Sequence, residues 1–397
     1  MTLARLFGTL ALGSTLAACA PPAQRGMVYV APGASERFQL AMRMGYLGTF
    51  DREMVPGQVR RAMFEDQLPQ GDARTGRVGD YVLENGHVLA AITAIDGSAR
   101  GGKLVDLARK PKSLDGLDGL DLDVLGQRVV YDSLKTGNDD TTQTAYIEVS
   151  GRIDRAAADG SLLTVSTRYD AAPGIDGIVV HTHIKLDRGT LSPGEGGPGL
   201  LDEQLRAKNP ESPIVDATNG FGASMGSSGA YLFRPLFDGA TLTAEQQAPR
   251  FVVGVDHAPT LGDSIVVTRI VTPLERPDTG ALAVAVAKTE GRGIGDIEVR
   301  VAPKGKGARF PNRGDLAFVS SSGARYEVCD VDTSGEDSHF GATLPAGQYT
   351  VFFNNRELAS AGAPIDIEAD RVAFLTVAAS ARSDAGDVAP SACPLRR

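Results

Sequence analysis

Between Tyr81 and Val271 apolar residues recur at every second position in short runs closed by Gly, Asp, Asn or Pro, a pattern that buries one face of a pleated strand and suits no helix. The runs are Tyr81–Glu84, His87–Ile95, Arg128–Tyr131, Thr144–Ile153, Leu162–Tyr169, Gly177–Leu186, Arg250–Val255 and Ser264–Val271. With 47 Gly, 22 Pro and no Trp, turns are frequent, and Asn85-Gly86 predicts a type I′ hairpin between the first two runs. Helical periodicity is confined to Ser35–Met44 and Pro56–Phe64, two short helices expected on the edge of the first sheet. The fold class expected is all-β with few short helices: a large multi-stranded β-sandwich followed by a small one.

The large unit is expected over 35–275 and the small one over 281–380, with the polar joint Glu275-Arg276-Pro277-Asp278-Thr279-Gly280 between them. Ala281–Ala287 and Ile297–Val301 open the second unit, and the turn and strand Leu344–Val351 mark its end. The tail 381–397 is poor in hydrophobic residues and reads as loose.

At the other end, Met1–Arg5 carries one positive charge and Leu6–Leu16 is apolar. As a helix that apolar stretch would span only ~16 Å, too short for a hydrocarbon core of roughly 30 Å. Leu16-Ala17-Ala18-Cys19 follows and resembles, at all four positions, the lipobox cut by lipoprotein signal peptidase. The resemblance implies a leader over 1–18, a diacylglyceryl thioether on Cys19 and an acylated new N-terminus, so that the partner at this end is a membrane reached through a lipid anchor. Ala20, where lipoproteins kept at the inner membrane usually carry Asp, implies the outer membrane, and the Pro-rich stretch within 19–34 reads as a tether. The competing reading is an ordinary signal peptide followed by an incidental cysteine.

No later stretch is long and apolar enough to be a second membrane element. A net charge of −9 without a Lys/Arg cluster argues against nucleic acid as a partner. Once Cys19 is acylated, Cys329 and Cys393 are the remaining pair; an oxidising envelope permits a bridge that would pin the tail, and two free thiols are the alternative.

Two further stretches carry a family resemblance. Arg77-Val78-Gly79-Asp80-Tyr81-Val82-Leu83-Glu84-Asn85 and Thr260–Arg269 resemble the opening and closing segments of the N-terminal β domain of secreted PHP-type metallohydrolases and of related stand-alone lipoproteins. Leu344-Pro345-Ala346-Gly347-Gln348-Tyr349-Thr350-Val351 is similar to the corresponding element of carboxypeptidase-regulatory-like, prealbumin-type sandwiches. The resemblance, over roughly Gly71–Ser380, implies both accessory modules, while the PHP metal domain that follows them in the enzymes has no counterpart among these residues.

Three motifs invite chemistry. His181-Thr182-His183 puts two imidazoles on one strand face, yet a hydrolytic metal site needs further ligands and His87, His257 and His339 are scattered, so a polar strand face is expected. Gly222-Ala223-Ser224-Met225-Gly226 spells the nucleophile elbow G-x-S-x-G, which needs a strand before and a helix after. It is read instead as part of a flexible loop over Asn219–Gly229 ahead of the strand Ala230–Phe233, and Asp256-His257 are poorly placed as triad partners. Asp115, Asp118, Asp121 and Asp123 could offer oxygens to calcium, but their spacing fits no known loop and a solvated acidic turn is the plainer reading. Walker, Rossmann and CxxC motifs are absent from the sequence.

The expectation is a non-catalytic envelope protein that binds or scaffolds a polysaccharide or a protein partner, with no catalytic residues, metal or cofactor assigned. An envelope hydrolase using a cleft of the large unit is the alternative, and a component of a surface-assembly machine a third reading.

Overall fold

The computed structural model describes residues 55–381 and Cys393, apart from 72, 111–114, 156, 157, 159, 192–198, 209, 218, 227, 228, 237–239, 246, 247, 254–259, 263, 305–309 and 333–338. The leader, Cys19, the Ser35–Met44 helix, Asp256-His257 and the tail other than Cys393 lie outside the described residues.

The chain is all-β, as its alternation predicts. β1 (Gln58–Arg61), β2 (Tyr81–Glu84), β3 (Val88–Ile92) and β4 (Leu104–Arg109) form an antiparallel meander in that order. The helix expected over Pro56–Phe64 is not formed. Arg61 pairs with Tyr81 and Gln58 with Glu84, and Gly57 is pressed so closely on Ala171 O that a Cβ there would come within 2.2 Å. A weak helical pattern loses to a ladder and a tertiary contact that only a glycine allows. A 3₁₀ turn at Glu65–Gln67 follows.

The β2–β3 hairpin forms, though not through a type I′ turn. Neither Asn85 nor Gly86 has a positive φ. Instead Asn85 Oδ1 accepts from His87 N and Val88 N, while Nδ2 donates to Ala172 O and Ile175 O at 2.7 and 3.0 Å. The asparagine side chain thus closes the turn and also fastens it to a loop of the facing sheet.

β5 (Leu117–Val124), β6 (Gln127–Arg128), β7 (Tyr131–Asp139), β8 (Thr144–Arg155), β9 (Ser161–Ala171), β10 (Ile178–Arg188), β11 (Leu201–Ala207), β12 (Pro210–Asp216), β13 (Phe221–Gly226), β14 (Gly229–Pro235), β15 (Ala240–Glu245), β16 (Ala248–Val253) and β17 (Ser264–Pro273) complete the large unit. One layer is an eight-stranded sheet ordered β12-β13-β14-β17-β10-β9-β8-β7; facing it are the meander and a five-stranded sheet, β15-β16-β11-β5-β6. Ile147, Val165, Val180 and Val267 from the long sheet, Leu120, Leu205 and Phe251 from the five-stranded one and Leu83, Ala90 and Leu107 from the meander share one core. Each Val, Leu, Ile or Phe among them contributes about 1.5–3 kcal/mol on burial. Every residue of β17 is buried, because its outward Ile270 is covered too, by Ile175 and Val179.

α1 (Thr279–Thr289) occupies the expected start of the second unit, Ala281–Ala287, as a helix. Its apolar face, Ala281, Leu282, Ala285 and Val286, packs on Phe221, Ala223 and Leu232 of β13 and β14. Asp278 caps it, accepting from Ala281 N at 2.7 Å.

The second unit consists of β18 (Ile294–Pro303), β19 (Arg313–Ser320), β20 (Arg325–Asp332), β21 (His339–Pro345), β22 (Gly347–Asn354), β23 (Leu358–Ser360), β24 (Ala363–Ile367) and β25 (Val372–Ala381). Its strands run in the order β20-β19-β22-β23-β25-β18-β21, with β24 on β22. The short β23 joins two halves that face one another, since Phe340 of β21 stacks at 5.1 Å on Phe353 of β22 within one core. Tyr349, in the motif Leu344–Val351, packs edge-on against Phe318 and donates to Pro345 O at 2.8 Å; burial pushes its hydroxyl up to about 12. The structure bonds Cys329 on β20 to Cys393, with Cα atoms 5.6 Å apart.

Candidate functional site

The alternation of β10 sends Val180, Thr182 and Ile184 into the sandwich and His181 and His183 to the opposite face. On the inward side lies a column of polar groups. Tyr131 OH bonds Thr167 Oγ1 at 2.7 Å, Thr167 bonds Thr182 at 3.1 Å, and Arg269 Nη1 donates to Thr182 Oγ1 at 2.7 Å. Arg269 spends its remaining reach on Val180 O, Val267 O and, through Nε and Nη2, both carboxylate oxygens of Glu203 on the facing sheet. Burial pushes the Tyr131 hydroxyl far up, so the column holds protons rather than releasing them.

His181 sits between a hydroxyl and a carboxylate: Nδ1 is 2.9 Å from Thr268 Oγ1 and Nε2 is 3.2 Å from Asp170 Oδ2. The second contact is at ion-pair distance but lacks hydrogen-bond alignment. Asp170 Oδ1 in turn accepts from Arg168 Nε at 2.7 Å, and the Arg168 guanidinium lies 4.0 Å over the Tyr146 ring. The order hydroxyl, imidazole, carboxylate is that of a proton relay. Thr268, however, is fully buried, so its oxygen meets no substrate, and the arrangement orients side chains on a sheet face. His183, one step along that face, has its pKa lowered by burial, against the pull of Glu148. Among the described residues no three His, Cys, Asp or Glu side chains are placed to hold a metal ion.

Ser224 corrects the flexible-loop reading of Asn219–Gly229: it lies on β13, whose Ser224 pairs with Tyr231 of β14. It is fully buried, and its Oγ accepts from Ala207 N at 3.3 Å. A strand follows the serine where an elbow needs a helix, and the hydroxyl faces β11.

The acidic turn is also corrected. Leu117, Leu120, Leu122 and Val124 alternate inward, which draws the segment into β5. Asp121 is met by Lys103 at 3.0 Å, by Arg128 and by Arg206 at 3.4 Å; burial raises its pKa, and Lys103 and Arg128 outweigh that to leave it lowered. Arg128 reaches Asp123 as well, at 2.7 Å. These carboxylates are matched by Arg128 and Arg206 of the same sheet and by Lys103, which precedes β4. Asp115 behaves differently. It is fully buried, with Oδ1 accepting from Leu107 N, Leu117 N and Tyr231 OH at 2.9, 3.1 and 3.2 Å, and Oδ2 has no hydrogen-bond partner among the described residues. Tyr231 OH accepts from Gly116 N at 2.7 Å and reaches Leu107 O at 3.0 Å. Burial, then the nearby Asp106 carboxylate, raises Asp115 to about 7. Asp106 is itself buried and accepts from Thr75 N and Gly76 N at 2.8 and 2.7 Å.

Sequence reasoning missed Arg269, Glu203, Asp170, Arg168, Tyr231 and Asp106. A lone arginine inside Val266-Val267-Thr268-Arg269-Ile270-Val271 is the one signal that could have been used, since a charge amid a buried run requires a partner.

No known protein-family profile matches this chain, and no curated protein matches it. Among solved structures it is similar to a TPR-domain-containing protein from Parabacteroides distasonis, at 12% identity over 55% of this chain and 54% of that one, with a TM-score of 0.29. A polysaccharide lyase matches at 11% identity over 71% of this chain and 46% of that one, TM-score 0.28, and a minor pilin of Streptococcus agalactiae at 9% over 54% and 88%, TM-score 0.19. The chain spans about half the length of the first of these structures.

Proposed function

We propose that this chain is a lipid-anchored envelope protein, held at the outer membrane through Cys19, whose two β units bind or scaffold an envelope polysaccharide or a protein partner without catalysis. The anchor reading is supported by Leu16-Ala17-Ala18-Cys19 behind a short apolar leader. The accessory-module reading is supported by the resemblances at Arg77–Asn85, Thr260–Arg269 and Leu344–Val351.

One observation carries the non-catalytic part. Four groups with chemistry to offer among the described residues of the large unit are turned to internal partners: Ser224 Oγ to Ala207 N, His181 to Thr268 and Asp170, Asp121 to three cations, Arg269 to Glu203. The hydrolase reading has one feature on its side, Asp115, raised to about 7 like a general acid. Its full burial keeps that carboxyl from a substrate.

The test is co-sedimentation of the purified protein with insoluble peptidoglycan and with outer-membrane polysaccharide, assaying the same mixtures for released fragments and the protein for bound metal. Saturable binding without fragment release is expected. Fragment release that disappears in Asp115→Asn or in His181→Ala/His183→Ala, or stoichiometric zinc or manganese, would overturn the reading in favour of a hydrolase.

A further inference from the structure

We propose that the tip formed by Met63, Phe64 and Val78 is a lipid-contact wedge that seats the large β unit directly on the membrane surface. The inference rests on the anchored reading for its biological setting, and on three features of the tip for its chemistry.

First, the tip is apolar where nothing of the described fold covers it. Met63, Phe64 and Val78 are 64%, 66% and 52% exposed, and they account for three of the large hydrophobic residues left outside the cores. Separated in sequence, they are brought together by the end of the β1–β2 ladder: Ala62 N donates to Asp80 O and Gly79 N to Ala62 O, both at 2.8 Å. The main-chain donors of Met63 and Phe64 are held by Gln67 Oε1, at 2.7 and 3.3 Å, so the two side chains stand on a fixed turn. Scattered exposed hydrophobics need no explanation, whereas a cluster on a rigid tip marks an interaction site.

Second, its charge suits a lipid headgroup layer. Over residues 58–80 Arg60, Arg61, Arg74 and Arg77 are balanced by Glu65, Asp66, Asp72 and Asp80, on a chain whose net charge is −9. The tip therefore approaches an anionic leaflet without the repulsion that the rest of the surface feels. Arg61, held by Gly79 O at 2.8 Å, and the exposed Arg77 have no ion-pair partner among the described residues and flank the apolar residues. Arginines so placed meet phosphates while their neighbours enter the acyl boundary.

Third, the tether permits the contact. Residues 20–54 separate Cys19 from the first described residue, Val55, three positions before β1. About 35 residues reach at most roughly 120 Å when fully extended, and any more compact form is shorter, so a lipid on Cys19 keeps the tip close to the same bilayer at high effective concentration.

The chain contains no Trp, which allows a background-free test. Phe64→Trp and, on the second unit, Phe374→Trp each give a single-tryptophan protein; Phe374 is 71% exposed and serves as the distal control. The mature chain from Cys19 is coupled through that thiol to maleimide lipid in vesicles of phosphatidylethanolamine and phosphatidylglycerol with brominated acyl chains, so tethering does not depend on native acylation. The emission of Trp at 64 should shift to the blue and fall by roughly half or more, as expected for a side chain at the acyl boundary. Trp at 374 should be unaffected, and Met63→Ser/Val78→Ser in the Phe64→Trp background should restore most of the emission. Unchanged emission at 64, equal quenching at both positions, or quenching indifferent to the serine pair would overturn the wedge. The lipid on Cys19 in cells is read separately by mass spectrometry, so failure of the wedge and failure of the anchor are told apart.

Discussion

Arg269 on β17 and Glu203 on β11 form a two-pronged ion pair across the middle of the large sandwich, with neither side chain exposed to solvent. Among the described residues it is the one charged link between the long sheet and its five-stranded partner inside the core, and Thr182, Thr167 and Tyr131 extend it along the long sheet. Taking two charges out of water is costly, so such a pair adds little net stability while making either partner alone a liability.

Glu203→Leu or Arg269→Met by itself should therefore lower unfolding stability by about 3–5 kcal/mol, and the double variant should recover most of that loss. Urea unfolding of the four proteins gives the coupling. Additive losses would show that the pair does not act as a unit.

How far the sequence reveals this fold depends on which face of a strand is in question. β2 coincides with the run Tyr81–Glu84, and β8, β9 and β10 lie within two residues of their runs, because alternation reports a strand with one wetter face directly. It fails where both faces are covered: β17 reads as continuous, so nothing marks Arg269 as inward or finds its partner 66 positions away. Asp115 was obscured by its neighbours, since Asp118, Asp121 and Asp123 do face outward and made the whole segment look solvated. Asn85-Gly86 marks the place of the turn but not its geometry, because the side chain of Asn85 bonds a facing loop that is remote in sequence.

Asp115 sets a pH dependence. Its folded pKa, about 7, lies above the ordinary carboxylate value of 3.8, so between those values the folded chain binds more protons than the unfolded one. Its stabilising contribution is full below the lower value and is lost as pH rises through 7; Asp106, also raised by burial, acts in the same sense. Asp115→Asn should flatten the dependence of stability on pH between 4 and 7, by on the order of 3 kcal/mol across the window. Chemical denaturation at a series of pH values measures the slope, and an unchanged slope would contradict the assignment.

Cys329 and Cys393 close a loop with a sequence separation of 64. Loop-closure entropy puts the cost of opening it at about 4 kcal/mol. Cys393→Ser should lower the unfolding midpoint of the second unit, and reducing agent should do the same to the parent protein while leaving Cys393→Ser unaffected. Insensitivity of the parent to reductant would show that the link does not constrain this unit.

Asp278 joins the two units at one side chain. It caps α1 through Ala281 N, pairs with Arg276 at 2.8 Å and accepts from Cys329 N on the edge strand β20 at 3.2 Å. Asp278→Ala should cost about 2–3 kcal/mol, the sum of a lost cap and a buried donor left bare, while Asp278→Asn keeps the cap through its one amide oxygen, loses the bond from Cys329 N and should cost about 1–2 kcal/mol. Equal losses in thermal unfolding would mean that the bonds from Cys329 N and Arg276, and not the helix cap, are what matters.

The central claim is an envelope protein held by lipid, and the N-terminal peptide of the mature protein, isolated from cells and weighed by mass spectrometry, tests it most directly. The expected peptide begins at Cys19 and carries a diacylglyceryl thioether with an acylated amine. An unmodified Cys19 thiol, or a peptide that still contains the leader, would contradict it.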